Sequence, residues 1–243
     1  MKTMLKTMKR FARRIAVQTL LSTLALLPAV PAPVLAADDA MEANQLVDNA
    51  RMTLQEFLAA PEMDALRDLL KRAEGVFIAP QVLKGAFILG VSGGSGVMVT
   101  RTGHSATWNG PAFYTIGELS YGLQAGGEAS QVVLLAMTER GVTAFLSDNL
   151  KLGADIGVAA GPVGMGAAAA TANLSADIIS FSRSKGAFGG VALNGAVVAV
   201  RDGLNRAYYG KPASPTEILV RNTVDNSQAA GLLKAIGTGA GRP

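Results

Sequence analysis

The glycine-rich run Gly90-Val91-Ser92-Gly93-Gly94-Ser95-Gly96 is the first place to look for chemistry, because closely spaced glycines let backbone N–H groups converge on a phosphate. It lacks the Gly-Lys-Ser/Thr ending and no helical pattern follows it, so the spacing predicts a tight hairpin rather than a phosphate loop. Gly94-Ser95-Gly96 also fails to complete the Gly-x-Ser-x-Gly elbow of a serine nucleophile. His104, the sole histidine, sits among turn formers in Arg101-Thr102-Gly103-His104-Ser105, where a solvated loop residue is expected. Asp155 and Asp177 border a long uncharged segment, and either can satisfy backbone donors instead of doing acid–base work. Cysteine is absent, which excludes disulfides, thiolate metal sites and a thiol nucleophile. The residues therefore predict no catalytic centre, no metal and no cofactor.

The elements that would have to position any site follow from composition. A chain of 243 residues with 49% hydrophobic and 16% charged side chains has enough apolar surface for a core, and too little charge for a disordered or nucleic-acid-binding arm. No nucleic acid partner is expected. The net charge of +4 is uneven: Lys2, Lys6, Lys9, Arg10, Arg13 and Arg14 precede any acidic residue, and beyond residue 36 there are 16 Lys plus Arg against 18 Asp plus Glu. Residues 1–14 are cationic, 15–27 apolar, and 28–37 end in small residues, the layout of a secretory signal peptide. Pro28, Pro31 and Pro33 stop the apolar helix well short of the roughly 20 residues that spanning needs. The expectation is a signal peptide over 1–36, a mature chain beginning at Ala37, and a periplasmic location, free or peripheral to a membrane.

No glycine precedes Gly75, and the two parts of the chain read differently. From Asp39 to Leu58, the residues Leu46, Val47, Ala50, Leu54, Phe57 and Leu58 recur at helical spacing. Pro61 suits the first turn of a second helix, with Met63, Leu66, Leu70 and Ala73 on one face, an Asp68 pair with Lys71 or Arg72, and Gly75 as its stop. Beyond it, short runs at 76–79, 86–91, 95–101, 113–124, 131–137, 152–160, 175–182 and 187–201 read as strands at hairpin spacing, with glycines marking bends. Gly153, Gly157 and Gly161 lie four apart, as in packed membrane helices, but Pro162, Gly164 and Gly166 favour strands and a bend. A short helix is expected at 141–147. Ser214-Pro215-Thr216-Glu217 is a capping box announcing another helix, 225–236 forms a last one, and Gly237–Pro243 is a loose tail. The class is α+β: N-terminal amphipathic helices packed on a strongly curved, mostly antiparallel, barrel-like sheet, with short C-terminal helices. Residues 37–243 make one domain with its core at about 42–221.

Several motifs in order carry a resemblance: Phe87 to Gly96, Trp108-Asn109-Gly110-Pro111, Gly122 to Glu128, Asn149 to Gly153, Gly161-Pro162-Val163-Gly164, Ser182 to Gly190, and Asn205-Arg206-Ala207-Tyr208-Tyr209-Gly210. Together they resemble the SYLF domain, also called the actin-patch domain, over about residues 42–221. The resemblance implies a lipid-binding module that meets phosphoinositides or other anionic phospholipids through an N-terminal amphipathic helix and a nearby cationic surface. It departs from the eukaryotic pattern at Ser92 and Met165, which stand where arginines are usual.

On that reading the apolar contact is the stripe Leu46, Val47, Ala50, Leu54, Phe57 and Leu58, which could equally pack on the sheet. The basic contacts are Lys84, Arg101, Lys151, Arg183, Lys185, Arg201, Arg206 and Lys211. The stripe's helix carries Asp38, Asp39, Glu42, Asp48 and Glu56 against Arg51 alone, an adverse balance for an anionic surface. The expected partner is a phospholipid or membrane surface. The alternative is a non-catalytic structural or protein-interaction module of the envelope, using a glycine-rich sheet edge or an exposed Tyr208–Tyr209 pair. Actin is not expected as a partner, since no Src-homology or zinc-finger domain accompanies the motifs.

Overall fold

Between Ala37 and Ala60 there is neither glycine nor proline, so nothing interrupts a helix until Pro61, which disfavours the helical conformation of the residue before it. The computed structural model describes residues 32–86, 89–101, 107–121, 126–164, 176–191 and 193–241. In it helix α1 spans Ala32–Ala59, and Ala60 is extended, with φ −73° and ψ 127°. Arg67 donates from Nη1 to the carbonyls of Leu58 and Ala60, both at 2.8 Å, and so caps the end of α1. A 3-10 turn, Pro61–Met63, leads into α2, Asp64–Leu70. Met63, Leu66, Leu70 and Ala73 are all buried, as their spacing predicts. Lys71, rather than Arg72, bonds Asp68 at 2.8 Å, and that hydrogen bond holds the Asp68 carboxyl below its ordinary range. Gly75 does not stop this helix; α2 ends at Leu70 and Gly75 is the first residue of a strand.

Four long strands follow: β1 (Gly75–Ala86), β2 (Leu89–Arg101), β3 (Trp108–Tyr121) and β4 (Gly126–Ala136). The shorter ones are β5 (Asn149–Lys151), β6 (Val158–Ala160), β7 (Ile178–Ser184), β8 (Ala187–Gly190) and β9 (Val197–Val200). They form one sheet in the order β5-β9-β3-β2-β1-β4-β7-β6, with β8 also paired to β7. All pairings between the described strands are antiparallel except β6 with β7, so the sheet is mixed; it curls into a half-barrel, and among the described residues its two ends do not pair. Pro80, which has no N–H to give, is tolerated in the central strand β1 because it lies at the shift between Ile78 and Gln81.

Period-two alternation gives the sheet two apolar faces. Val76 and Ile78, with Val97, Val99, Phe113, Val133, Leu135 and Phe181, join a core completed by α1, α2 and the C-terminal helices. Phe77 and Ala79, with Met98, Tyr114, Ile116 and Leu134, join a second core on the other side. That face is covered by α3 (Glu139–Ala144), by α5 (Pro215–Leu219) and by residues of β5 and β9. Thr138 caps α3, and the expected Ser214–Glu217 capping box is present at α5. Hydrogen bonds from Ser214 hold the Glu217 carboxyl below its usual range, so the box is intact above that range and is lost as pH falls through the lowered value. Helix α4, Asp202–Tyr209, ends on Gly210 at φ 67°.

Three further sequence expectations are corrected. The run Gly90–Gly96 is not a hairpin: Ala86 of β1 pairs with Gly90, so the chain has already reversed, and the runs 86–91 and 95–101 contribute to one continuous β2. Gly94 and Gly96 serve close approach instead, since a Cβ on Gly94 would run into the Gln81 carbonyl oxygen and one on Gly96 into the Phe77 ring. The runs 152–160 and 187–201 are not single strands; turns at Gly153 (φ 82°) and Gly195 (φ 96°) interrupt them. Finally, the last helix, α6, covers Ala230–Gly239, so Gly237 to Gly239 are helical and Ala240 is buried beyond them. No described helix is long and apolar enough to cross a membrane, and Gly153, Gly157 and Gly161 are outside helices.

Replacing Gly94 by alanine is expected to cost about 2 kcal/mol, from the clash with a neighbouring backbone carbonyl. At Gly93 the nearest atom to an added Cβ is 4.0 Å away, and alanine there should change stability by no more than about 0.5 kcal/mol. Urea unfolding midpoints of the two variants check the pair.

Candidate functional site

Helix α1 is placed by its ridge. Leu46, Val47, Ala50, Leu54 and Phe57 are buried against the sheet, from 9% exposed at Leu46 to none at Leu54 and Phe57, while Leu58 is half-buried at the edge of the same core. The six residues predicted to meet lipid are thus brought together, but as the cover of the sheet. Inserting them into a bilayer requires α1 to leave Val76, Ile78, Val97 and their neighbours bare. Among the described side chains of α1, the large apolar ones that are exposed are Met41 and Met52, about half accessible; they lie off the ridge, so the helical spacing of a single stripe does not include them.

Three of the five acidic residues of α1, Glu42, Asp48 and Glu56, have partners far along the chain. Glu42 meets the guanidinium of Arg201, which also donates to Ser95 Oγ at 2.8 Å. Arg201 is held there by its own backbone, since its N–H donates to the Phe113 carbonyl at 2.9 Å and it precedes α4 as the N-cap. Glu56 accepts from Arg183 Nη1 at 2.7 Å and from Gln131 Nε2 at 3.0 Å. Gln131 and Arg183 are direct cross-strand partners on β4 and β7, so the pairing itself delivers both side chains to one carboxylate. Asp48 accepts from Gln228 at 3.2 Å. The acidic surplus of the helix, adverse for an anionic membrane, is largely a set of contacts to the body of the domain.

Beside the Glu56 contact the flank of α1, β4 and the β7–β8 turn enclose an open cleft of about 440 Å³. Asn49, Met52, Thr53 and Glu56 line it from the helix, Ser130 and Gln131 from β4, and Arg183, Lys185 and Gly186 from β7 and its turn. The Arg183 guanidinium lies 5.2 Å from the Phe188 ring, which packs edge-on to Phe57 at 5.0 Å, so its position is fixed by the core. A second groove, between α1 and α6, is lined by Arg51, Leu58, Arg67, Lys234 and Gly239. Arg67 is already committed there to backbone carbonyls and to Asp64.

The eight predicted basic residues are therefore not one surface. Arg183 and Lys185 share the cleft. Arg201 is bound to Glu42, and Arg101, mostly buried, pairs with Glu74 at 3.1 Å and lies over Trp108. Lys84 on β1, Lys151 on β5, Arg206 on α4 and Lys211 beyond it are exposed on separate elements. Tyr208 and Tyr209 are not an exposed pair: Tyr208 is buried, and the Tyr209 hydroxyl donates to the Pro111 carbonyl at 2.8 Å. Burial pushes both phenols above their ordinary range. Asp155 accepts from the Lys151 backbone N–H at 2.8 Å, and Asp177 accepts from Thr138 Oγ1 at 2.7 Å and lies 3.6 Å from Arg140. Both carboxylates have structural partners. His104, Met165, residues 1–31, where most of the expected signal peptide falls, and the final two residues lie outside the described residues.

Comparison with known proteins adds relatives. The family described as "Ysc84: Las17-binding protein actin regulator" matches residues 117–238, half of the chain. LAS seventeen-binding protein 3 of Saccharomyces cerevisiae is 34% identical over 156 residues, covering 63% of this chain and 34% of that protein. SH3 domain-containing YSC84-like protein 1 of Homo sapiens is 32% identical over 170 residues, covering 69% of this chain and 49% of its own length. The matched region thus spans between a third and a half of these relatives. With actin regulation in the family's description, the expectation that actin plays no part has nothing in its support.

If α1 is docked in solution as described, Leu54→Ala removes a fully buried side chain and should cost about 3 kcal/mol in chemical unfolding. Met52→Ala, at a half-exposed position, should stay within about 0.5 kcal/mol of the parent.

Proposed function

Because the chain belongs to the Ysc84 family, described as one of binding proteins, we propose that it is a non-catalytic binding module working at a membrane surface, with phospholipid headgroups as its ligands. The observation that carries this reading is the cleft beside α1, where Arg183 and Lys185 stand next to the exposed Met52. A cationic rim beside an accessible thioether suits an anionic headgroup with the first carbons of its chains. The absence of cysteine and the single histidine support a non-catalytic role. The order cationic, apolar, proline-and-alanine in residues 1–36 supports secretion across the inner membrane and an envelope location.

A protein partner is the second reading, favoured by the names of the yeast relatives and by one feature of the sheet. β9 follows β3 only as far as Gly117, and β7 follows β4 only from Ser130. Among the described residues no strand pairs with the outer edge of β3 at Glu118–Tyr121 or of β4 at Gly126–Ala129, which leaves backbone groups for an added strand.

Sedimentation of the purified chain with phosphatidylcholine vesicles, with and without anionic lipid, tests the first reading. Anion-dependent co-sedimentation is expected, and no binding to either composition sinks it. Hydrogen exchange of α1 in the bound state locates the contact: retained protection means the flank binds, and lost protection means the ridge has left the sheet. Co-purification with envelope proteins that survives lipid removal is the outcome expected of the second reading.

A further inference from the structure

The cleft beside α1 contains a cation already holding an oxyanion that belongs to the protein. Glu56 and Arg183 are both partly exposed, and their 2.7 Å contact closes on the rim of the cleft without being sealed into the core. Two polar atoms around this contact are shielded from solvent and unmatched among the described residues: Arg183 Nε has no acceptor, and Gln131 Oε1 has no donor. Each is a group whose desolvation is uncompensated. Across the cleft, Lys185 and Gly186 form the two-residue loop between paired Ser184 and Ala187, with φ of 50° and 80°. That loop conformation suits Asn, Asp or Gly, yet its first position is a lysine, exposed and without an ion pair among the described residues. One carboxylate thus faces two cations.

We propose that this cleft is a binding site for a phosphate monoester, with Glu56 acting as a built-in competitor that holds the Arg183 guanidinium until the ligand displaces it. A monoester carries nearly two negative charges at neutral pH, matching Arg183 and Lys185 better than a single carboxylate does. Its three free oxygens supply the acceptors that Arg183 lacks. Phe188 and Phe57 keep the guanidinium in place during the exchange, so only the Glu56 side chain has to turn outward. This inference rests on the headgroup reading above and assigns its site.

The probes are vesicles of phosphatidylcholine mixed with phosphatidic acid, a monoester, or with phosphatidylglycerol, a diester, and soluble glycerol 3-phosphate. The full chain should prefer phosphatidic acid over phosphatidylglycerol. Glu56→Gln should tighten phosphatidic acid binding about tenfold, and Arg183→Gln should weaken it by a similar factor, the size of one charge-assisted hydrogen bond. Lys185→Ala, on an exposed turn, should also weaken binding and keeps the test decisive if Arg183→Gln does not fold. Competition by glycerol 3-phosphate supports the site with the soluble ester sufficient, and binding to phosphatidic acid without that competition supports it with the lipid as source. Vesicle binding that is unchanged in Glu56→Gln and in the Arg183 or Lys185 variants overturns the site while leaving the membrane reading standing. No binding of any vesicle or of the ester by any form overturns both.

Discussion

The docking of α1 against one face of the sheet is the constraint on which the rest of this structure depends. A sheet apolar on both faces needs two covers, and the short helices α3 and α5 with the β5–β9 region supply only one of them. The other is chiefly α1, whose buried side chains share one core with Val76, Val97, Phe113 and Val133 of the four long strands. Once that role is taken, the same ridge is not available to a membrane without opening the core. The chemistry open to the protein in this state therefore lies on the flanks of the helix.

Charge on α1 follows from the same constraint. A helix that only had to approach an anionic surface would carry lysines, whereas this one presents Glu42, Asp48 and Glu56 to Arg201, Gln228 and Arg183. Exposed ion pairs of this kind each contribute little to stability, about 0–1 kcal/mol, so their value is in fixing orientation. The apolar ridge supplies the adhesion, and the pairs set where along the sheet the helix rests.

Much of this was legible in the residues. The ridge from Leu46 to Phe57, the buried Met63, Leu66 and Leu70, the capping box at Ser214 and the curled, mostly antiparallel sheet all rest on local periodicity or local hydrogen bonding, which a sequence displays directly. The Gly90–Gly96 run was misread because a glycine that relieves a clash with the Gln81 carbonyl looks the same as one that makes a turn. The interruptions of 152–160 and 187–201 were hidden for the opposite reason, since those turns lie inside apolar runs. The candidate site was the least visible part: Glu56 and Arg183 are 127 positions apart, and only the β4–β7 register sets Gln131 beside them. Six of the eight basic residues resembled a patch only as long as their elements had no places.

The contacts of α1 with Arg201 and Gln228 span 159 and 180 residues of chain. Closing such loops costs entropy before any contact is gained, and chains dominated by distant pairings fold slowly. Helix α1, near the start of the chain, must wait for nearly the last residues before its seat is complete. Until then a greasy ridge and an unsealed sheet face are both open to other chains, so this architecture places its greatest exposure to misassembly early in the life of the polypeptide, before α6 exists to close it.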